Sequence, residues 1–247
     1  VILVSSGDMF SGNPVVDNYK APGYPMIDIM NRTGFAVAAL GNHEFDYGDS
    51  ILAERMAQSE FSWLCSNADF SGTHIRDVAP YRVVEIDGIA ILFLGMVETG
   101  GMQNALIPST HPWDVKNITF QKAHDVLPTY ANFKQSKNAD VYIALSHLGH
   151  ESGMEGMMGD FEVAQEFPFF DAIIGGHTHE IIDTVVNGVR IFQAGSYLNY
   201  LGQIDFKIAN GKAEVIQSQL IDLNKYSYEN EQITQKIERY YHEMDSI

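Results

Sequence analysis

The sequence predicts an α/β fold built on two sheets of different character. Three features carry that expectation. Strand-like apolar runs alternate with amphipathic segments through residues 1–66, the βαβ rhythm of a mainly parallel sheet. Further on, Asp87-Gly88, Asn187-Gly188 and Asn210-Gly211 each separate two strand-like runs, the signal of tight antiparallel hairpins. Finally, four apolar runs stop at residue types that bind metals. Residues 1–6 run into Gly7-Asp8, 35–40 into Gly41-Asn42-His43-Glu44, 141–146 into His147, and 172–176 into His177-Thr178-His179. Ligands of α/β proteins gather outside the carboxyl ends of strands. Four such strands side by side bring Asp8, Asn42, His43, His147, His177 and His179 to one rim.

Each element has its own reason. The segment after Asp8 holds Gly12, Pro14, Pro22, Gly23 and Pro25 and reads as polar and irregular. Residues 25–33 read as a short helix and 35–40 as a strand. Asp49 or Ser50 is expected to cap a helix that runs to about residue 59, with Ile51, Leu52 and Met56 on one side. Residues 61–66 are the next strand. Residues 81–86 and 89–97 form a hairpin through Asp87-Gly88. A helix is predicted over 122–137, interrupted near Pro128. Strand 141–146 leads into a Gly/Met-rich loop, 153–160, and strand 172–176 follows. Hairpins over 185–193 and 201–221 precede an amphipathic terminal helix, 228–244, with Ile233 and Ile237 on its apolar side. The more parallel sheet is expected to carry the rim of candidate ligands, with the second sheet packed against it and helices on the outer faces. No repeat or low-complexity tract interrupts the chain, and 1–247 reads as one domain.

Composition narrows the function. A formal net charge of −17 repels phosphate backbones and excludes a basic nucleic-acid groove. An anionic substrate then needs a local positive centre, which bound divalent cations supply. No apolar stretch approaches the ~18–20 residues needed to cross a bilayer; the longest, 88–97, is strand-like. Cys65 is the single cysteine, so there is no intrachain disulfide.

The strand-end residues permit a specific chemistry. In extended backbone, residues two apart point the same way, so His177 and His179 are expected to face one cavity, with Gly175-Gly176 letting the backbone come close to whatever they bind. Asn42 offers a neutral amide oxygen. His43, next to it, can point toward substrate, and Asp46 can hold a ring nitrogen of His43 in a defined orientation. Asp8 can bridge two cations. Two metals roughly 3.5–4 Å apart bind a hydroxide between them and clamp a phosphoryl oxygen for in-line attack.

These motifs resemble those of the calcineurin-like metallophosphoesterase superfamily. Gly7-Asp8, Gly41-Asn42-His43-Glu44, Ser146-His147 and Gly175-Gly176-His177-Thr178-His179 match four of its five motifs in the expected order. The longer string from Gly41 to Gly48 resembles the 5′-nucleotidase and 2′,3′-cyclic phosphodiesterase branch. The resemblance implies a four-layer α/β/β/α sandwich of two mixed sheets, two divalent metal ions (zinc, manganese, iron or cobalt) and hydrolysis of a small phosphate ester, most simply a nucleotide. In the roles it implies, Asp8 bridges both metals, Asn42, His147 and His177 complete one site, and His179 binds the other. His43 then stabilises the phosphoryl group or protonates the leaving oxygen, oriented by Asp46, and Asn42 and His43 contact substrate.

Two departures from the family pattern matter. The superfamily's Asp-x-His motif lies before Gly7-Asp8 and is absent here, which leaves the His179 site with Asp8 and His179 alone and allows for a single bound ion. Relatives in the nucleotidase branch continue into a C-terminal substrate-binding domain, toward which helix 228–244 would lead. Alternatives on the same scaffold are a nucleotide-sugar, cyclic-nucleotide or sulfur-ester hydrolase, or a non-catalytic metal- or nucleotide-binding domain. An extracytoplasmic bacterial location follows from the resemblance alone.

Other candidates have weaker context. His74, His111, His124 and His242 read as structural, and His150 as a neighbour of the site at most. Met154, Met157 and Met158 read as loop packing. Gln193, Gly195, Asn199 and Tyr200 either line the cleft or form a plain turn. Trp63 and Trp113 are expected in the core.

Overall fold

A computed structural model describes residues 1–102, 104–152, 156–209 and 211–245. Met154, and Asn210 of the last hairpin turn, lie outside the described residues. The first half of the chain forms β1 (Leu3–Ser5), α1 (Pro14–Asn18), α2 (Tyr24–Thr33), β2 (Phe35–Ala39), α3 (Gly48–Gln58), β3 (Ser62–Leu64), β4 (Ala68–Asp69), β5 (Val78–Ala79), β6 (Tyr81–Ile86), β7 (Ile89–Val97) and β8 (Thr119–Phe120). The second half forms α4 (Ala123–Val126), α5 (Phe133–Ser136), β9 (Val141–His147), α6 (Asp160–Glu166), β10 (Ala172–Ile174), β11 (Ile181–Val186), β12 (Val189–Ala194), β13 (Tyr200–Ala209), β14 (Lys212–Asp222) and α7 (Glu231–Asp245).

Two sheets dominate. One has the order β1-β2-β3-β5 and is parallel throughout. The other has the order β11-β12-β10-β9-β7-β6, parallel in its centre and closed by an antiparallel pair at each edge. β13 and β14 form a separate hairpin.

Strand alternation stacks these sheets into four layers. Val37, Ala39 and Leu64 of the first sheet pack against Phe93, Val141, Ile143 and Leu145 of the second. On the outer face of the first sheet, Ala38, Leu40 and Trp63 meet Ile27 and Met30 of α2 and Leu52 and Met56 of α3. On the outer face of the second, Leu92, Leu94, Tyr142, Ala144 and Ile173 meet Leu127, Val163, Ala164 and Phe170. β9 is buried along its whole length because both its faces are covered. Its odd-numbered residues face the other sheet, so His147 ends the strand pointing into the gap between the two sheets.

Several local expectations hold and others need correction. The Asp87-Gly88 and Asn187-Gly188 turns have positive φ at both residues, as tight primed hairpins require. The predicted 122–137 helix is broken into α4, a 3₁₀ turn over Leu127–Tyr130, and α5, the break falling at Pro128. α3 starts at Gly48, one residue ahead of the expected cap. Asp49 therefore sits inside the first turn, where its charge favours the helix N-terminus. The terminal helix begins at Glu231, its first amides held by Asn230 Oδ1 at 3.1 and 3.2 Å. Tyr240 is its buried anchor. The ring packs edge-on against Tyr19 at 5.2 Å and its hydroxyl donates to Asp28 at 2.6 Å. Ile237 is 39% exposed. Trp63 is buried, but Trp113 is 69% exposed, in a turn where Lys116 Nζ lies 5.1 Å from its ring centre. An aromatic with a cation over its face is stable in water, so Trp113 leaves the expected core.

Candidate metal centre and its acid–base pair

The site is shared between the two sheets. Asp8 follows β1 and Asn42 follows β2, both in the parallel sheet, whereas His147 ends β9 and His177 follows β10 in the mixed sheet. This corrects the expectation that one sheet carries the whole rim. Carboxyl ends of both sheets face the same way, and the ligand types meet between the layers.

Close backbone approach makes the meeting possible. Gly7 has φ +99, and a side chain there would strike Gly41 N at 2.5 Å and His147 Nδ1 at 2.9 Å. A side chain on Gly41 would strike Asp8 Oδ1, and Asp8 N at 2.6 Å. The two glycines let the turns after β1 and β2 touch, which no larger residue permits.

Glu44 locks that contact. It is fully buried, and its carboxylate accepts four backbone N–H groups: Gly41 at 2.6 Å, Asp8 at 2.8 Å, Met9 at 2.6 Å and Phe10 at 3.2 Å. One charge thereby supplies the partners that two adjoining loops would otherwise lack. It also holds Asp8 at φ +60, a conformation costing of order 1–3 kcal/mol.

The ligand atoms converge. One ligand atom each from Asp8, His147 and His177 lie within 4.8 Å of one another. His147 Nδ1 donates to the carbonyl of Ser6 at 2.6 Å, which leaves Nε2 of the neutral ring as a lone pair. That lone pair faces Asp8 Oδ2 at 2.9 Å and Asn42 Oδ1 at 3.2 Å, both acceptors. The orientation of Asn42 is fixed from behind, because its Nδ2 donates to Ser109 O at 3.0 Å. His177 Nδ1 approaches the same amide oxygen at 3.0 Å.

Three lone pairs converging inside a protein call for a positive charge between them. Without a metal, a second proton on His147 supplies it. Burial would depress that imidazole, but its bond to Asp8 and the carboxylate's charge outweigh burial and raise it. Burial likewise would raise Asp8, yet its bonds to His147 and to His43 N–H hold it below the ordinary range. Burial, then the neighbouring His147, push His177 down and keep its ring neutral. A carboxylate, an amide oxygen and two imidazoles form a donor set suited to a borderline divalent ion. These residues fit such an ion.

His179 lies apart from this group. The 177–179 segment is not extended: His177 has φ +76 and His179 φ +60, so strand alternation does not align their rings. His179 packs its ring 5.7 Å from that of Tyr197. Gln193, buried beneath the turn, accepts from His179 N and Glu180 N at 3.1 Å once its amide oxygen is turned toward them. Gly175 makes room for the Asp160 carboxylate, whose Oδ2 a side chain there would strike, and Gly176 for His147 Nδ1 at 3.0 Å. The two glycines thus serve the protein's own packing. His150 bonds Thr178 Oγ1 at 2.9 Å, one residue from His177.

Beside the ligand group stands a half-exposed imidazole. His43 N–H donates to Asp8 Oδ1 at 2.9 Å, and His43 Nδ1 lies 2.6 Å from Asp46 Oδ2. Asp46 also accepts from Ser11 Oγ at 2.7 Å and from Thr110 Oγ1 at 3.0 Å. The Asp46 bond, opposed in part by burial, raises His43 to about 9. Burial would raise Asp46, but the bonds from His43 and Ser11 outweigh it and hold the carboxylate ionised. No described residue bonds His43 Nε2.

Sequence reasoning missed four contributors. Glu44 lay inside the motif, yet nothing local shows that it collects four amides. Ser11 and Thr110 reach Asp46 from distant loops. Glu98 accepts from Gly100 N at 2.8 Å and from Ser109 N, and so holds the loop whose carbonyl aims Asn42. Glu98 follows the apolar run of β7, so the strand-end rule that found Asp8 would have found it too. A cavity of about 280 Å³ opens beside His177, with Glu98, Ser109, Met158 and Thr178 in its wall. A larger open cleft, about 910 Å³, lies between Tyr19, Lys20 and α7, away from these groups.

Comparisons with known proteins agree with this geometry. The family model for calcineurin-like phosphoesterases matches residues 1–180, and the chain belongs to that family. Protein UshA of Yersinia enterocolitica is 30% identical over 91% of this chain and 44% of its own length. A 2′,3′-cyclic-nucleotide 2′-phosphodiesterase/3′-nucleotidase of Haemophilus influenzae is 29% identical over 87% of this chain and 37% of its own. The crystal structure of a 5′-nucleotidase precursor from Thermus thermophilus superposes on 99% of this chain and 50% of that one, with a TM-score of 0.83 at 22% identity. The four-layer mixed α/β architecture is thus shared. The chain spans less than half the length of either curated relative.

Proposed function

We propose that residues 1–247 are the catalytic unit of a metal-dependent phosphoester hydrolase acting on nucleotides, 5′-nucleotidase-like in its preferred ester. The observation that carries this reading is the convergence of Asp8 Oδ2, Asn42 Oδ1 and His147 Nε2 on one point, beside an imidazole gripped by a carboxylate. In this reading Asp8, Asn42, His147 and His177 hold one divalent ion, and Asp8 with His179 contributes to a second; zinc, manganese, iron and cobalt all suit such donors. Bound there, divalent ions polarise a phosphoryl oxygen and make water nucleophilic near neutral pH.

The chain's own residues supply the rest. Asp46 accepts the Nδ1–H of His43, so Nε2 is the atom turned toward substrate. With its affinity for protons raised to about 9, His43 is loaded at neutral pH and gives that proton to the departing alkoxide oxygen. Asn42, aimed by Ser109, contributes an uncharged oxygen that leaves the bound ion electrophilic. Nucleotides as substrates are supported by the activities for which the Haemophilus and Thermus proteins are named. An extracytoplasmic setting belongs to the same proposal; among the described residues no helix is long and apolar enough to cross a membrane.

The test is phosphate release from a nucleoside 5′-monophosphate with added Mn²⁺, Co²⁺ or Zn²⁺. Metal-stimulated release is expected, lost in Asp8→Asn and reduced ~10²–10⁴-fold in His43→Ala. A panel of 2′,3′-cyclic nucleotide, nucleotide sugar and sulfur ester ranks the alternative substrates. Absence of stimulation by all three metals rejects the reading.

A further inference from the structure

We propose that Ser11 is a positioning residue for His43: its hydroxyl closes a triangle with Asp46 Oδ2 and His43 Nδ1 that fixes the ring plane of the imidazole and so the direction in which Nε2 points. This rests on the reading of His43 as proton donor given above.

The geometry is direct. Ser11 Oγ donates to Asp46 Oδ2 at 2.7 Å and stands 3.1 Å from His43 Nδ1, which itself lies 2.6 Å from the same carboxylate oxygen. The hydroxyl hydrogen is spent on Asp46. Nδ1 therefore faces two acceptors, the carboxylate oxygen and the Ser11 lone pairs, and carries a hydrogen toward them whatever the charge of the ring. The other ring nitrogen, Nε2, is left for substrate. A single bond to Asp46 would let the ring swing about it, whereas two contacts on one nitrogen define its plane.

The position is costly to build, which points to a role. Ser11 has φ +50, a conformation that side chains rarely adopt. It is held there by Tyr47, whose hydroxyl oxygen accepts from Ser11 N at 3.2 Å while donating to Asp17 of α1. The Tyr47 ring lies 5.7 Å from that of Phe10, the residue before Ser11. The hydroxyl is thus anchored by α1 and by the Tyr47 side chain, three residues beyond Asp8 in the loop that carries the ligand. A glycine would satisfy the backbone better. What only the serine adds is the hydroxyl on the His43–Asp46 pair.

Ser11→Gly separates the two roles, because it relaxes the backbone and removes only the hydroxyl. Turnover is measured in Mn²⁺ on a nucleoside 5′-monophosphate, whose leaving oxygen needs a proton, and on p-nitrophenyl phosphate, whose leaving group departs without one. The expected result is a kcat on the nucleotide lowered about tenfold or more, KM nearly unchanged, a much smaller loss on the nitrophenyl ester, and an unfolding midpoint no lower than wild type. Ser11→Ala should behave alike in rate. Independently of turnover, ¹⁵N NMR of the His43 ring, assigned by its loss in His43→Gln, should show an Nδ1 hydrogen slow to exchange with solvent in the wild type and faster exchange of that hydrogen in Ser11→Gly. Equal losses on both esters, or an unchanged rate of exchange, overturn the proposal. Should the wild type hydrolyse neither ester, the hydrolase reading fails, and the ring spectrum still decides the role of Ser11.

Discussion

The carboxylate of Glu44 accepts the amide hydrogen of Asp8 at 2.8 Å across 36 residues of sequence, and the same oxygen takes the amide of Gly41 at 2.6 Å. The loop that presents the carboxylate ligand and the loop that presents Asn42 are therefore fastened to one buried atom. Glu44 does no chemistry on substrate, yet the candidate metal centre depends on it.

Glu44→Gln tests that dependence. An amide keeps one acceptor and turns two donors toward N–H groups that are donors themselves. At ~1–3 kcal/mol for each buried group left unpaired, the variant should lose about 2–5 kcal/mol of stability, read as a lower urea midpoint at unchanged slope. Its metal affinity should fall as well, because Asp8 is no longer held.

Metal binding should stabilise the fold by mass action. A divalent ion at a hundred times its dissociation constant adds about 2.7 kcal/mol to unfolding. Scanning calorimetry with and without Mn²⁺ measures this, and the increment should vanish in Asp8→Asn and in His147→Ala. A chelator should reverse it. An increment that survives both substitutions would mean the ion binds elsewhere.

Asp160 predicts a pH dependence of the opposite sign from most carboxylates. It is fully buried at the start of α6, and burial pushes it up to about 7, with the bond from the Ser146 hydroxyl and the charge of His147 pulling back only in part. Between the unfolded value near 4 and the folded value near 7, the fold retains a proton that the unfolded chain releases. Stability from this residue is complete below about pH 4 and is lost as pH rises through 7, by up to ~4 kcal/mol in all. Asp160→Asn should remove this slope, so that its denaturant midpoint exceeds that of the wild type at pH 8 but not at pH 4. Parallel pH profiles for the two proteins would refute the assignment.

Cys65 should be silent in the native protein. It is buried between the sheet and its helices, and burial pushes the thiol up to about 12. The thiolate is the reactive form, so labelling with a disulfide reagent at pH 8 should await unfolding. Its rate against denaturant then reports opening of the parallel-sheet core.

Much of this arrangement was legible from strand ends. Asp8, Asn42, His147 and His177 each follow a short apolar run, and the rule that ligands collect at carboxyl ends located all four. The division of the site between two sheets was not legible. Whether β9 pairs with β2 or with β7 is decided by contacts distant in sequence, and both strands read alike as apolar runs. β4, β5 and β8, two residues each, are too short to leave a periodic pattern. Glu44 and Ser11 escaped for a common reason: each acts on backbone or on a side chain brought near only by the fold. Trp113 misled because an indole reads as core by composition, whereas its place is set by a turn and a neighbouring lysine.

Division of the donors between separate layers has a consequence for assembly. Neither layer by itself holds more than half of the candidate donors, so a chain with only one of them formed would have a weaker grip on a cation. If these residues hold an ion as proposed, loading would wait until the layers close face to face, and the ion would act as a late rivet across the seam and not as a template for earlier steps. Conditions that prise the layers apart should release the ion before either layer unravels.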